Sequence, residues 1–181
     1  MELVDVYNNR HENLNYTKDK KGLSMGEYRL SCFIWVINSK HEILIQQRTS
    51  TTKKFPNMWG TTAGAVKANE TSLAAAMREL QEELGLKTTV AEMEFIGSNK
   101  RINDYVEVWL CHKDIAITSL KLQATEVQNA RWTTIKDFEK MLKEGTAIDS
   151  GYNSFIIYYN NFYERHYELI NGKPLIVKNK N

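Results

Sequence analysis

Three carboxylates crowd a single stretch of this chain: Glu79, Glu82 and Glu83 in RELQEELGL. On a helix, like charges three or four residues apart repel by about 0.2–0.5 kcal/mol per pair. At about 100° per residue, these three fall within an arc of about 100°. A hard divalent cation such as Mg²⁺ wants several oxygen donors, negative charge and room for retained water, and it would turn that repulsion into attraction. A solvated acidic helix face gives the same pattern, so the three glutamates alone leave both uses open.

The elements around them show what must hold such a group. Asn69 is placed to cap a helix, Leu73, Met77, Leu80 and Leu84 recur at helical spacing, and Gly85 follows as a C-terminal glycine should. This stripe buries one side of the helix and turns the glutamates elsewhere. Upstream, YRLSCFIWVI (28–37) and EILIQQR (42–48) read as strands joined by an NSKHE hairpin turn. TSTTKKFPNM is a loop, and WGTTAGAV (59–66) is strand running into a turn. Downstream, MEFIGSN and YVEVWLCH read as antiparallel strands around RINDY, followed by a shorter strand, VQNARWTTI. Residues 1–21 form a hairpin-like arm. IKDFEKMLKEG and a segment from about Asp149 read as helices, the second with Tyr152, Phe155, Tyr159, Phe162 and Tyr163 mostly on one side. That side suits core packing or a homodimer contact, and the basic tail GKPLIVKNKN suits a fraying end.

The 181 residues fit one domain, with 42% hydrophobic and 25% charged residues. We expect an N-terminal arm over 1–27, a core over 28–135 and a helical extension over 136–181. The formal net charge of +2 does not call for nucleic acid or a membrane as an obligatory partner. No leader-like apolar run follows the first residues and no stretch is long enough to span a bilayer, so a cytoplasmic location is expected. Cys32 and Cys111 lie in apolar strands at no metal-binding spacing and read as buried free thiols.

Around the acidic helix the spacing becomes specific. Gly64 precedes Glu70 with five residues between, Arg78-Glu79-Leu80 follows after seven more, and Glu82-Glu83 and Gly85-Leu86 complete the order. All nine specified positions across these 23 residues match the signature of the Nudix hydrolases, which the segment resembles position for position. Looser similarity runs from about residue 28 to 135. The resemblance implies an α+β fold, a mixed β-sheet sandwiched between α-helices. It also implies hydrolysis of a diphosphate linkage in a nucleoside diphosphate joined to another group, by water attack on phosphorus with Mg²⁺ or Mn²⁺ as cofactor. The partner is then a small-molecule nucleotide or diphosphate.

By the same resemblance, Glu82 and Glu83 would be the principal metal ligands, and Glu79 a further ligand or the base that takes a proton from water. Arg78 would orient the carboxylates, Glu70 would tie the loop to the helix, and the backbone carbonyl near Gly64 would add a ligand. A further acid usually comes from outside the helix. Glu126, six residues before Trp132, and Glu107, mid-strand in YVEVWL, both qualify. Arg48 is placed to reach a phosphate or to sit as a surface arginine.

ILIQQR and KKFPNMWGTTAGA also resemble the isopentenyl-diphosphate isomerases, which protonate and deprotonate carbon. Those carry a cysteine followed by Gly-His where this chain has Ala63-Gly64-Ala65, and alanine offers no acid. A nucleotide-sensing module without catalysis is the third reading, but such modules typically lose signature glutamates or carry a DNA-binding domain. Specificity is expected in the arm, the loop 49–58, the RINDY turn and the aromatic helix. Trp59, Tyr105 and Trp109 are candidates to stack on a base or to pack in the core.

Overall fold

A computed structural model describes residues 2–163, with side chains described through residue 161. The spine of the molecule is β3 (Arg29–Ile37), which runs parallel to β8 (Asp104–His112) in unbroken register from Arg29↔Asp104 to Ile37↔His112. Antiparallel to β8 lies β7 (Met93–Lys100), turned around RINDY as its sequence suggests. The other edge of β3 is shared. Its first half pairs β6 (Thr62–Ala65) and its end pairs β4 (Glu42–Arg48), both antiparallel. In turn β4 pairs β9 (Val127–Thr134) and the short β5 (Trp59–Gly60). The result is a seven-stranded mixed sheet, with β1 (Leu3–Tyr7) and β2 (Asn13–Asp19) as a separate hairpin, the expected arm.

Alternation along β3 sorts the core into two layers. Leu30, Cys32, Ile34 and Val36 face α1 (Ser72–Leu84), where they pack with Ala75, Ala76, Leu80 and Leu84. Trp35 and Ile37 face α2 (Ile135–Lys143) and α3 (Tyr152–Tyr158), packing with Phe138, Met141, Tyr152 and Phe155. Helices on both faces of a mixed sheet make this the expected α+β sandwich. The second helical layer covers only the Trp35–Ile37 half of its face. Ser31 and Phe33 at the other half floor an open cavity.

Two local readings change. The cap of α1 is Thr71, whose hydroxyl accepts from the Ala74 N–H at 3.2 Å, whereas Asn69 sits in the left-handed region (φ 63°) and donates its own N–H to Asp5. Asparagine tolerates that conformation, and the turn it allows moves the helix start two residues on. The buried face of α1 is also rotated from the leucine stripe. Leu73 and Met77 are half-buried, while Ala75, Ala76, Leu80, Glu83 and Leu84 are buried. Aromatic packing of the C-terminal helix is seen at Tyr152 and Phe155, with Phe155 stacked on Trp35 at 4.6 Å. The side chains of Phe162 and Tyr163 and the tail GKPLIVKNKN lie outside the described residues. Among the described residues no helix is long and apolar enough to cross a membrane.

Candidate active site

Arg78 is the hub of the acidic helix. Its Nε donates to Glu70 Oε1 at 2.8 Å and Nη2 donates to Glu70 Oε2 and to the Ala65 carbonyl, both at 3.0 Å. Nη1 donates to Glu79 Oε1 at 2.7 Å and to Glu82 Oε2 at 3.1 Å. A planar guanidinium can satisfy this many acceptors in fixed directions, and a lysine cannot. Glu70 also accepts the Lys67 N–H at 3.0 Å, which pins the entry loop to the helix. Burial opposes ionisation of Glu70, yet the bonds from Arg78 and Lys67 together hold its carboxyl below the usual range.

The three glutamates differ in exposure. Glu82 is nearly half exposed and Glu79 is mostly covered. Glu83 lies in the middle of the buried face, where its Oε2 accepts from Gln46 Nε2 at 2.6 Å. Gln46 is itself oriented by Thr62, whose hydroxyl donates to Oε1 at 3.0 Å. Burial pushes the Glu83 carboxyl up to about 8, against the Gln46 bond and with the charges of Glu79 and Glu126 adding to the rise. Burial also raises Glu79, opposed by Arg78.

Gly64 is where strand and helix touch. A Cβ there would stand 2.1 Å from the Glu79 carboxyl, so any side chain would displace it. The close approach, rather than backbone freedom, is what requires glycine. Its own carbonyl turns away from the helix. The Val66 N–H donates to Leu30 O, and the antiparallel alternation then turns Gly64 O toward β3, where the Cys32 thiol also meets it at 3.7 Å. The carbonyl facing α1 belongs to Ala65, and Arg78 takes it.

The acidic group meets a cavity of about 1000 Å³ at the outer edge of β6, whose residues 63–65 form part of the wall. Lys20 and Lys21 of the arm line it, as do Lys53 and Lys54 of the loop. Arg29, Arg48 and Arg101 complete the positive lining, and Glu126 is the one acid among the lining residues. Arg48 Nε donates to the Lys54 carbonyl at 2.9 Å, which shapes the loop over the cavity. The loop is anchored to Glu126's segment, because the Thr49 N–H donates to Glu126 O at 3.0 Å.

Glu126 and Arg48 line the cavity together with Gly64, and Glu107 is not among its lining residues. Opposite Cys32 in the parallel register, Glu107 points to the α1 side, where Ser72 Oγ donates to it and His11 lies 3.7 Å away. The aromatic candidates are also engaged elsewhere. Trp59 lies under the Arg131 guanidinium, Tyr105 stacks on His11, and Trp109 meets Phe95 edge-on. The cavity's aromatic residue is Phe33, in register with Ala63, which the strand's alternation alone could have placed. Both thiols are buried, as expected, and Cys32 is pushed up to about 12, mainly by burial. Its side chain faces α1 and is not part of the cavity wall.

The donor set suits a hard divalent cation: carboxylate oxygens on one helix turn, with a glycine cradle for one of them. As they stand, Arg78 spans Glu79 and Glu82, and Gln46 holds Glu83. Among the described residues no three acidic, histidine or cysteine side chains converge on one point. Loading would require Glu79 and Glu82 to swing within reach of Glu83.

Comparison with known proteins agrees with this geometry. The NUDIX domain family model matches residues 27–152. A Nudix hydrolase of Listeria monocytogenes is 32% identical over 150 residues, covering 82% of this chain and 89% of that protein. The crystal structure of a Deinococcus radiodurans protein superposes with a TM-score of 0.66 at 20% identity, covering 81% of this chain and 91% of that one. The NUDIX domain of Shewanella oneidensis NrtR, solved in complex with ADP ribose, gives a TM-score of 0.53 at 16% identity, covering 70% and 82%.

Proposed function

The chain belongs to the Nudix family of pyrophosphohydrolases, and on that premise we propose that it hydrolyses the diphosphate linkage of a nucleoside diphosphate joined to a second group. The observation that carries this reading is the meeting of two opposite walls. The Arg78-organised glutamates lie behind Gly64, and Gly64 itself lines a cavity rich in lysine and arginine. A diphosphate needs such a cationic lining to enter and an acidic, cation-holding side at the bond to be broken.

Glu79, Glu82 and Glu83 would hold Mg²⁺ or Mn²⁺. When bound, the ion neutralises charge on phosphoryl oxygens and eases deprotonation of water. Arg78 holds Glu79 and ties the helix to the Glu70 loop and to Ala65, so the helix that bears the carboxylates stays placed against Gly64. Arg48 reaches a phosphate from the loop side. Glu126 takes the proton from the attacking water, because its carboxylate lines the cavity while Glu79 is held by Arg78. The ADP ribose bound by the Shewanella domain belongs to the substrate class proposed here. A small-molecule partner and a cytoplasmic location fit this reading.

The experiment is a phosphate-release screen with Mg²⁺ or Mn²⁺ and the variant Glu83→Gln as control. Its panel spans nucleoside di- and triphosphates, nucleotide sugars, dinucleotides and isopentenyl diphosphate. We expect turnover of at least one nucleoside diphosphate derivative and its loss in the control. Equal turnover by the control would overturn the assignment of the glutamates, and silence across the panel would overturn the substrate class. Rearrangement of isopentenyl diphosphate without phosphate release would restore the isomerase reading.

A further inference from the structure

Beside the same cavity that Gly64 lines, one buried carboxylate organises two arginines. Asp104 is 1% exposed. Its Oδ2 accepts from Ser31 Oγ at 3.0 Å and from Arg29 Nη2 at 3.5 Å. Arg101 grips it from the turn, with Nε on Oδ1 at 2.8 Å and Nη2 on Oδ2. The Arg101 guanidinium also lies over Phe33, 5.4 Å from the ring centroid. One edge and one face of Arg101 are thus fixed, while its side chain stays half exposed and lines the cavity with Arg29. Two guanidiniums share one carboxylate, so positive charge remains in excess. Nη1 of Arg101 has no hydrogen-bond partner among the described residues.

The position decides what anion this pair can serve. Gly64 pairs with Cys32, and Cys32 pairs with Glu107, so β6 and β8 are two strand spacings apart, roughly 10 Å. Asp104 lies three residues further along β8. Two phosphorus atoms joined by one bridging oxygen are far closer than that. A diphosphate held beside Gly64 therefore spans only part of the distance to Asp104. A cavity of about 1000 Å³ is at the upper end for small-molecule sites and leaves room for a longer ligand.

We infer that Arg101 and Arg29, braced by Asp104, form a second anion subsite that takes a phosphoryl group carried by the substrate outside the linkage it cleaves. A planar guanidinium, pre-set by a carboxylate on one edge and a ring on one face, meets phosphate at little conformational cost. Asp104 is a positioning residue. The word substrate rests on the proposed hydrolysis, whereas the binding chemistry stands without it.

The test uses metal-free full-length protein and the Nε–Hε NMR signal of Arg101, assigned by its loss in Arg101→Gln. Inorganic phosphate should shift this signal saturably, while Arg10, exposed and paired with Glu12 outside the cavity, should not respond. Adenosine 3′,5′-bisphosphate should bind about tenfold more tightly than AMP, as one added charge-assisted contact allows. The ratio should approach one in Arg101→Gln, whose side chain is half exposed in the parent and whose folding is checked by circular dichroism. Asp104→Asn adds net positive charge, so simple attraction would raise the ratio and lost bracing lowers it. We expect the fall. An Arg101 signal that does not move, equal affinity for the two nucleotides, binding of neither, or a ratio unchanged in Arg101→Gln would each overturn the subsite. None of these readings involves turnover, so a failed phosphate-release screen would leave them standing and identify the hydrolysis reading as the one at fault.

Discussion

The acidic cluster behind Gly64 and the cationic lining of the cavity in front of it are built on different principles. On the acidic side, Glu70, Arg78, Glu79 and Glu82 form a closed network within thirteen residues of chain, and Glu83 is buried beside it. On the cationic side, Lys20 and Lys21, Arg29, Arg48, Lys53 and Lys54, and Arg101 come from five separate places in the sequence. The acidic cluster is hydrogen-bonded and partly dehydrated, with Arg78 directing Glu79 and Glu82 and Gln46 directing Glu83. Most of the cationic wall is solvated, and Lys53 and Lys54 make no ion pair among the described residues. Arg101 and Arg29 are the exception, being tied to a buried acid. Direction matters where a bond breaks, and summed charge suffices where an anion is gathered.

This contrast can be broken on either side. The largest effect is expected for Glu83→Gln, which keeps shape and hydrogen bonding but removes one charge from the proposed cation site. We expect kcat to fall by about a thousandfold, at the upper end for losing one electrostatic group, with the circular dichroism unchanged. Arg78→Lys keeps the charge but cannot span Glu70, Glu79, Glu82 and Ala65 together. A loss of about a hundredfold in kcat/KM would mark direction as the requirement, and near-normal kinetics would reduce Arg78 to a simple counter-charge. Gly64→Ala should push Glu79 aside, lowering kcat by about tenfold or more and stability by about 1–3 kcal/mol, read by denaturant unfolding.

Asp104→Asn sharpens the comparison from the cationic side. Burial opposes the Asp104 charge, but the bonds from Arg101 and Ser31 and the charges of Arg101 and Arg29 together hold its carboxyl below its ordinary 3.8. A depressed carboxyl adds stability above its unfolded value, and that contribution is lost as pH falls through the folded value. The variant should therefore cost about 2–3 kcal/mol near neutrality, less than breaking a fully buried pair because Arg101 is half exposed. Its Tm should also depend less on pH below about 4. The smallest effect is expected for Lys53→Ala with Lys54→Ala. KM should rise about threefold at low salt, and the difference should vanish at high salt, as for screened surface charge.

Much of the acidic cluster was legible because its determinants are local. A helix converts fixed sequence spacing into fixed geometry, so Gly64, Glu70, Arg78 and the three glutamates could be grouped before any fold was known. The strand alternation of β3 and the hairpin around RINDY were legible for the same reason. What was not local was missed or shifted. That Glu107 faces α1 depended on the parallel register of β3 and β8, and a parallel pairing leaves no turn to announce it. Asn69 looked like the cap until the docked arm drew its N–H to Asp5. Phe33 drew no notice in the sequence, because only the placement of α2 and α3 leaves part of it facing the cavity.

The sequence by itself determined the family, the helix that bears the carboxylates and the arginine that organises them, because all of these are set by spacing within one short segment. Only the tertiary structure decided that Glu83 is the buried member, that Ala65 rather than Gly64 offers its carbonyl to Arg78, and that lysines and arginines from five segments face the same cavity. Burial and charge convergence depend on which distant surfaces pack together, and no spacing within a single segment encodes that.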